Sequence, residues 1–238
     1  MIDLYAMGSP NVVKIYIALE EMGLPYTVHP VDVFGEAQFS PEFLKLNPNA
    51  KVPVIVDSDG PGGKPYTIFE SGAILQYLAD KTGKFLAKDG AARYDALQWI
   101  MVQMTAVGPM FGQYVHFWRF APQGNDYALD RYRTQVRRTL DIIERRLSES
   151  PYLGGAEYSI ADIATFPWLR ATGMFLGKEV EAEYPKIMAW VAGIAARPAI
   201  VKALAAVDDV RGKVTQFDQA AADAMDRVFG RGKYSAAA

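Results

Sequence analysis

Cysteine is missing from all 238 residues. That removes disulfides, thiolate metal sites, iron-sulfur clusters and any nucleophilic thiol of the chain's own. Sulfur chemistry would have to use a thiol brought from outside. Histidine is nearly missing as well: His29 and His116 are the only two, and neither has the companions a metal site needs, so no metal is expected. An excess of either charge is also lacking. Twenty-five Lys and Arg against 27 Asp and Glu leave a net charge of -2, which is no surface for a polyanion, and nucleic acid is not an expected partner. Met1-Ile2-Asp3-Leu4-Tyr5 offers neither the basic segment nor the apolar stretch of an export signal, so a soluble cytoplasmic protein is the expectation. The run from Trp99 to Trp118 carries no Lys, Arg, Asp or Glu, but Gln103, Thr105, Gln113, His116 and Gly108-Pro109 interrupt it. It reads as the buried central helix of a bundle, with no membrane expected.

What is present is the composition of a globular chain: 50% hydrophobic and 22% charged, enough for a sizeable core in one large domain or two small ones. The first part alternates element types. Ile2 to Tyr5 is strand-like, Pro10 to Met22 repeats apolar residues at helical spacing until Gly23, and Tyr26 to Val33 is β-rich. Pro41 to Leu46 makes a turn or two of helix, Val52 to Val56 and Tyr66 to Phe69 are β-branched runs around a Gly- and Pro-dense turn, and Ser71 to Lys81 returns to helical period. The predicted order is β-α-β-α-β-β-α, with a parallel pair across the first helix and an antiparallel hairpin at the end. Beyond Lys84 the β signal stops. Ala91 to Val107, Tyr127 to Ser150, Ile160 to Thr172, Tyr184 to Ala196 and Ala199 to Ala206 read as helices, with an amphipathic candidate at Val214 to Phe229. Ser159 to Asp162 is a capping box, and Arg137, Arg138, Arg145 and Arg146 with Asp141 and Glu144 read as a solvated, salt-bridged face.

Three junctions carry polar groups suited to a ligand. In Asn49-Ala50-Lys51-Val52-Pro53, a cis Val52-Pro53 bond would turn the Val52 backbone N–H and C=O toward an extended peptide, whereas a trans proline would merely start a strand. Phe69-Glu70-Ser71-Gly72 puts a carboxylate and a hydroxyl where free helical N–H groups suit a ligand carboxylate and Glu70 suits an ammonium; the plainer reading is an N-cap. Ser9-Pro10-Asn11 sits between the first strand and first helix, where hydroxyl, amide and backbone N–H groups can converge on one anion.

Together with Tyr158-Ser159-Ile160-Ala161-Asp162-Ile163-Ala164, these stretches resemble the glutathione transferase superfamily over nearly the whole chain. Leu4-Tyr5 before Ser9-Pro10-Asn11, Gly35 to Gln38, Leu97-Gln98-Trp99 and Gly108 to Gln113 are similar to its bacterial Nu class. One departure is that the class commonly has Thr where this chain has Ser9; the hydroxyl is kept and a methyl lost. The resemblance implies an α/β plus all-α architecture: a thioredoxin-like domain at 1–84, an all-helical domain at 91–212 forming an acceptor cleft, and a C-terminal tail at 213–238. It implies that Ser9 and Asn11 face the glutathione sulfur, that Val52, before Pro53, pairs with the cysteinyl backbone, that Glu70 and Ser71 hold the γ-glutamyl end, and that Lys51 and Gln38 take the glycyl end. Gln103 and Arg131 would reach the facing subunit's site in a homodimer.

The implied cosubstrate is glutathione, as two reduced molecules or the disulfide, with a small-molecule disulfide or electrophile as second substrate. The implied activity is glutathione-dependent disulfide-bond reduction with weak conjugation. Two other readings stay open: a transferase or thioether lyase acting on aromatic substrates, and a non-catalytic glutathione-binding regulatory protein. Tyr5, which other branches of the superfamily use to activate the thiol, reads as a packed aromatic. Phe111, Tyr114, Phe117, Trp118, Phe120, Trp168 and Phe175 read as core before cleft.

Overall fold

Period-two alternation builds the first strand. In β1 (Ile2–Ala6) the side chains of Ile2, Leu4 and Ala6 are buried while Asp3 and Tyr5 are half-exposed on the other face. The computed structural model describes residues 1–236; Ala237 and Ala238, the end of the expected tail, lie outside the described residues. The chain divides into two compact units, one made of residues up to Ile74 together with those from Lys202 onward, the other of Leu75–Val201.

The first unit contains α1 (Pro10–Met22), β2 (Tyr26–Pro30), α2 (Pro41–Leu46), β3 (Val54–Asp57) and β4 (Tyr66–Phe69), and α3 (Ser71–Thr82) starts in it. The expected order is the observed one. β1 runs parallel to β2 across α1, and antiparallel pairs join β1 to β3 and β3 to β4, giving the sheet order β2-β1-β3-β4. Gly23 closes α1 at φ 71, a left-handed position where a side chain would be strained. The third strand starts two residues later than the β-branched run implied, because Pro53 has no N–H for the ladder.

The tail belongs to this unit. Asp32 Oδ1 accepts from Gly35 N–H at 3.0 Å and Thr215 N–H at 3.1 Å, and its Oδ2 accepts from the Thr215 hydroxyl at 2.7 Å. Further along, α12 (Ala222–Phe229) sends Arg227 to Glu36 at 3.0 Å and lays its guanidinium over the Phe39 ring at 4.3 Å. The helix expected from Val214 is therefore shorter, since Thr215 spends its backbone and side-chain donors on Asp32 rather than on a helical turn.

In the helical unit, α4 (Gly90–Val102) runs on through a wide turn at Gln103–Val107 into α5 (Gly108–Val115), with a second wide turn at His116–Phe120. Pro109 accounts for the first: it lacks the N–H that would reach Thr105, and the ladder widens so that Gly108 N–H bonds Gln103 instead. The expected buried central helix is buried along one side. Ile100, Gln103, Val107, Phe111 and Tyr114 form one buried stripe, while Met101 and Trp118 are 48% and 44% exposed. α6 (Asp126–Glu149), α7 (Ile160–Leu169), α8 (Thr172–Leu176), α9 (Val180–Glu183) and α10 (Pro185–Ala195) complete this unit, and α11 (Pro198–Arg211) begins in it. The acids of α6 do more than line a solvated face: Glu144 accepts Lys186 and Ile187 N–H groups at the start of α10, both at 2.9 Å, and Asp141 accepts the Tyr184 hydroxyl.

The capping box forms as expected and reaches further. Asp162 is fully buried and accepts from Ser159 N–H and hydroxyl at 3.0 Å, Leu153 N–H at 2.9 Å and the Trp190 indole at 3.0 Å. Burial raises its pKa above the usual carboxylate range against the downward pull of these donors. Its role is structural: one side chain ties the 153 loop and α10 to the start of α7.

A second buried charge sits in the first unit. Lys14, on the enclosed face of α1, has no solvent exposure, and its Nζ donates to the Ser71 hydroxyl at 3.2 Å. Burial draws its pKa from 10.5 down to about 7, against the upward pull of Glu70. The folded value lies below the unfolded one, so the native state is penalised most below pH 7 and the penalty fades as pH climbs toward 10.5.

Two outcomes follow for stability. Lys14→Met stabilises the fold by about 1–4 kcal/mol at pH 6, and the gain, followed by urea unfolding, shrinks steadily toward pH 10. Asp162→Ala strands the Leu153, Ser159 and Trp190 donors and costs about 3–5 kcal/mol, visible as a lowered urea midpoint.

Candidate functional site

Strand register decides where the polar junctions meet. Tyr5 lies opposite Val54, and Val54 opposite Phe69. Because both pairings are antiparallel, the end of β1, the start of β3 and the end of β4 share one edge of the sheet. The segments just beyond them are Ser9 to Asn11, Lys51 to Pro53, and Glu70 to Ser71. Three stretches far apart in sequence are thus neighbours by backbone pairing alone.

Each junction is shaped locally. Ser9 holds the N-cap position of α1 in extended conformation, and its carbonyl accepts the N–H groups of Val12 and Val13, both at 2.9 Å. Its hydroxyl accepts no cap hydrogen bond, so its O–H is not oriented by its own helix and stands at a helix start that already attracts anions. Asn11 is exposed on the first turn.

The Val52-Pro53 bond is cis, the first of the two alternatives the sequence left open. The Val52 side chain packs on the cluster of Val31, Phe43 and Val54, and its backbone lies outside the β3 ladder, which begins at Val54. Buried Asn47 organises the turn before it: its amide donates to Lys51 O at 2.7 Å and its Oδ1 accepts from Asn49 N–H at 2.9 Å. Ala50 sits there at φ 53.

Glu70 joins β4 to α3 at φ 66, a left-handed conformation that costs a non-glycine residue roughly 1 kcal/mol or more and often marks a functional position. Its side chain is exposed and accepts from Asn49 Nδ2 at 3.4 Å, and Lys51 Nζ donates to Asn49 Oδ1 at 3.1 Å. Ser71, the first residue of α3, is 6% exposed and takes the Lys14 hydrogen bond. The edge therefore presents a helix start with buried positive charge, an exposed carboxylate and an exposed ammonium. That array suits a flexible peptide carrying both charges.

Gln38 is 3% exposed, and its Oε1 accepts no hydrogen bond among the described residues. It lies on the loop that Asp32, Thr215 and Arg227 brace. Tyr5 stacks on His29 at 4.9 Å and meets Phe43 edge-on at 6.4 Å, the packed position expected of it. His29 in turn pairs with Asp3 at 2.7 Å.

Gln103 and Arg131 lie in the helical unit, Gln103 buried in the wide turn and Arg131 exposed on α6. Of the aromatic residues, Phe111, Trp168, Phe175 and Tyr114 pack against one another, with the Tyr114 hydroxyl donating to Phe175 O at 3.1 Å. Trp118 instead joins Tyr114 and Phe175 around a cavity of about 350 Å³ that Arg133, Arg137 and Glu179 also line.

Sequence reasoning missed Lys14, Asn47 and Asn49. Lys14 had a signal, being a charge inside an otherwise apolar helical run three residues after Asn11. Asn47-Pro48-Asn49 had the weaker signal of a turn, with nothing to say that its amides would reach Lys51 and Glu70.

Residues 8–81 match the family described as Glutathione S-transferase, N-terminal domain, and residues 101–198 match Glutathione S-transferase, C-terminal domain. The disulfide-bond oxidoreductase YfcG of Escherichia coli K12 is 46% identical over 206 residues, covering 86% of this chain and 94% of its own. A glutathione transferase family member from Pseudomonas fluorescens, solved with two glutathione molecules bound, is 44% identical with a TM-score of 0.81, covering 85% of this chain and 92% of its own. A glutathione transferase from Pseudomonas putida, solved with one glutathione disulfide per subunit, is 42% identical with a TM-score of 0.81, covering 85% and 90%. With a four-stranded thioredoxin-like sheet followed by helices, and with both family domains matched in order, this chain belongs to the glutathione S-transferase family.

Proposed function

We propose that this chain is a glutathione-dependent disulfide-bond reductase of the Nu class, acting in the cytoplasm, where glutathione is kept reduced. The observation that carries the reading is the convergence of Ser9, Val52 and Glu70–Ser71 at one sheet edge, with the Ser9 hydroxyl unspent on its own helix. The name of YfcG and the glutathione disulfide in the Pseudomonas putida structure support the reaction type.

In this reading the α3 start and Ser71 take the γ-glutamyl carboxylate, Glu70 its ammonium, Val52 the cysteinyl amide and carbonyl, and Lys51 with Gln38 the glycyl end. The unsatisfied Gln38 Oε1 supports an acceptor role at a site that a ligand N–H completes. Ser9, Asn11 and the α1 start then face the sulfur.

A free thiol has pKa near ~8.5, and each unit of depression corresponds to about 1.4 kcal/mol of preferential stabilisation of the thiolate. Hydrogen bonds to a charged group contribute about 1.5–3 kcal/mol, so two polar side chains and a helix start supply enough without a general base. The thiolate attacks one sulfur of a substrate disulfide, forming a mixed disulfide and releasing the other sulfur as a thiolate that takes up a proton. A second glutathione thiolate then attacks the glutathione sulfur, giving glutathione disulfide and the second substrate thiol. Two glutathiones are oxidised and one disulfide is reduced, and the chain needs no cysteine.

We also infer a homodimer, with Arg131, exposed on α6, as the residue that reaches the partner's site; Gln103, at 1% exposure, is held inside its own helical unit. The support is the charge-free helical run, which leaves Met101 and Trp118 exposed.

Asn11→Ala lowers kcat for glutathione-dependent reduction of hydroxyethyl disulfide about ten-fold or more while shifting glutathione Kd by less than about three-fold. Turnover and calorimetric binding in the same variant check this, and unchanged turnover removes Asn11 from the sulfur. In light scattering the protein runs at twice its chain mass, and Met101→Glu shifts it toward the monomer; a wild-type monomer at micromolar concentration ends the dimer reading.

A further inference from the structure

Among the polar groups around the sheet edge, Lys14 is a buried charge with no role in the chemistry above. It has no solvent exposure, and its neighbours in sequence on α1, Val12, Val13, Ile15, Tyr16 and Ile17, are all buried. Packing alone favours methionine there, which has similar length and no charge to desolvate. The ammonium instead points at the first residue of α3, with Nζ 3.2 Å from Ser71 Oγ.

We propose that Lys14 is a positioning residue for the γ-glutamyl carboxylate: its ammonium occupies a lone pair of the Ser71 hydroxyl, so that the Ser71 O–H is the donor offered at the start of α3. This rests on the glutathione reading above. The direction follows from the donor inventory. An ammonium carries three donors and no acceptor, so the hydroxyl that meets it must accept and must send its own proton elsewhere. Without Lys14 the hydroxyl turns freely, and the donor is no longer fixed.

The charge adds to the direction. An ammonium one hydroxyl behind the surface augments the positive end of α3, and in a buried setting it is only weakly screened. Its pKa of about 7 means that a nearby ligand carboxylate, which favours the protonated form, switches it fully on near neutral pH. Glu70, at the same junction, already acts in that sense.

The test compares two thiols in the wild type, Lys14→Met, Ser71→Ala and the double variant. One is glutathione; the other is 4-aminobutyryl-cysteinyl-glycine, identical but for the missing α-carboxylate. Wild type prefers glutathione in kcat/KM by ~100-fold. Lys14→Met cuts that preference to ~10-fold or less, mainly through KM, with its fold verified by thermal melting. Ser71→Ala removes a similar share, and the double variant loses little beyond either single one, as expected of residues acting through one hydroxyl.

A purely structural lysine would alter both thiols alike. A preference unchanged by Lys14→Met overturns the proposal, and so do fully additive losses. If wild type uses both thiols equally, the carboxylate is not read and the proposal falls while the glutathione reading stands; if it uses neither, both fall.

Discussion

The antiparallel register of β1, β3 and β4 is the constraint on which the site depends. It aligns Tyr5, Val54 and Phe69 across the sheet, and so brings a serine, a backbone strand end and an acid-serine pair to one edge although they are spread over some sixty positions of sequence. A slip of one residue in any pairing would turn the flanking side chains to the opposite face and disperse the junctions. The apolar face of β1 and the core around Val31, Phe43 and Val54 hold that register. The hydrophobic pattern that folds the sheet is thus also what assembles the site.

Electrostatics are divided between depth and surface. The exposed charges, Glu70 and Lys51, are linked through Asn49 and remain hydrated, where each ion contributes little to stability; in the proposed function they orient the charged ends of the peptide. The enclosed charge, Lys14, costs stability and is held at a helix start. The helical unit repeats the theme with a different purpose, since Asp162 gathers four donors from three segments and has no ligand to serve. A buried charge reads as structural when every partner is a fold element, and as functional when one partner lies at a surface built for binding.

Much of this was legible in the sequence because it rests on local rules. Gly23 after an apolar helical repeat, Ser159 three residues before Asp162, and the Gly-Pro turn between two β-branched runs each specify their structure within a few residues. The element order and strand directions follow. What escaped was long-range. The Val214 region looked amphipathic, but Thr215 is taken by Asp32, far away in sequence. The uncharged run around Gly108 read as a buried central helix, and how much of it is buried, one stripe, depends on neighbours that periodicity does not name. The amides of Asn47 and Asn49 gain meaning only once the turn brings them to Lys51 and Glu70.

The anchoring of the last helix changes how the far end of the molecule is to be regarded. Thr215 and Arg227 grip the loop between Asp32 and Phe39, the same loop that carries Gln38. Clipping by a protease, or an affinity tag fused close behind this helix, therefore disturbs the loop that holds Gln38, and the segment around this helix is the wrong place to treat as inert when the protein is prepared.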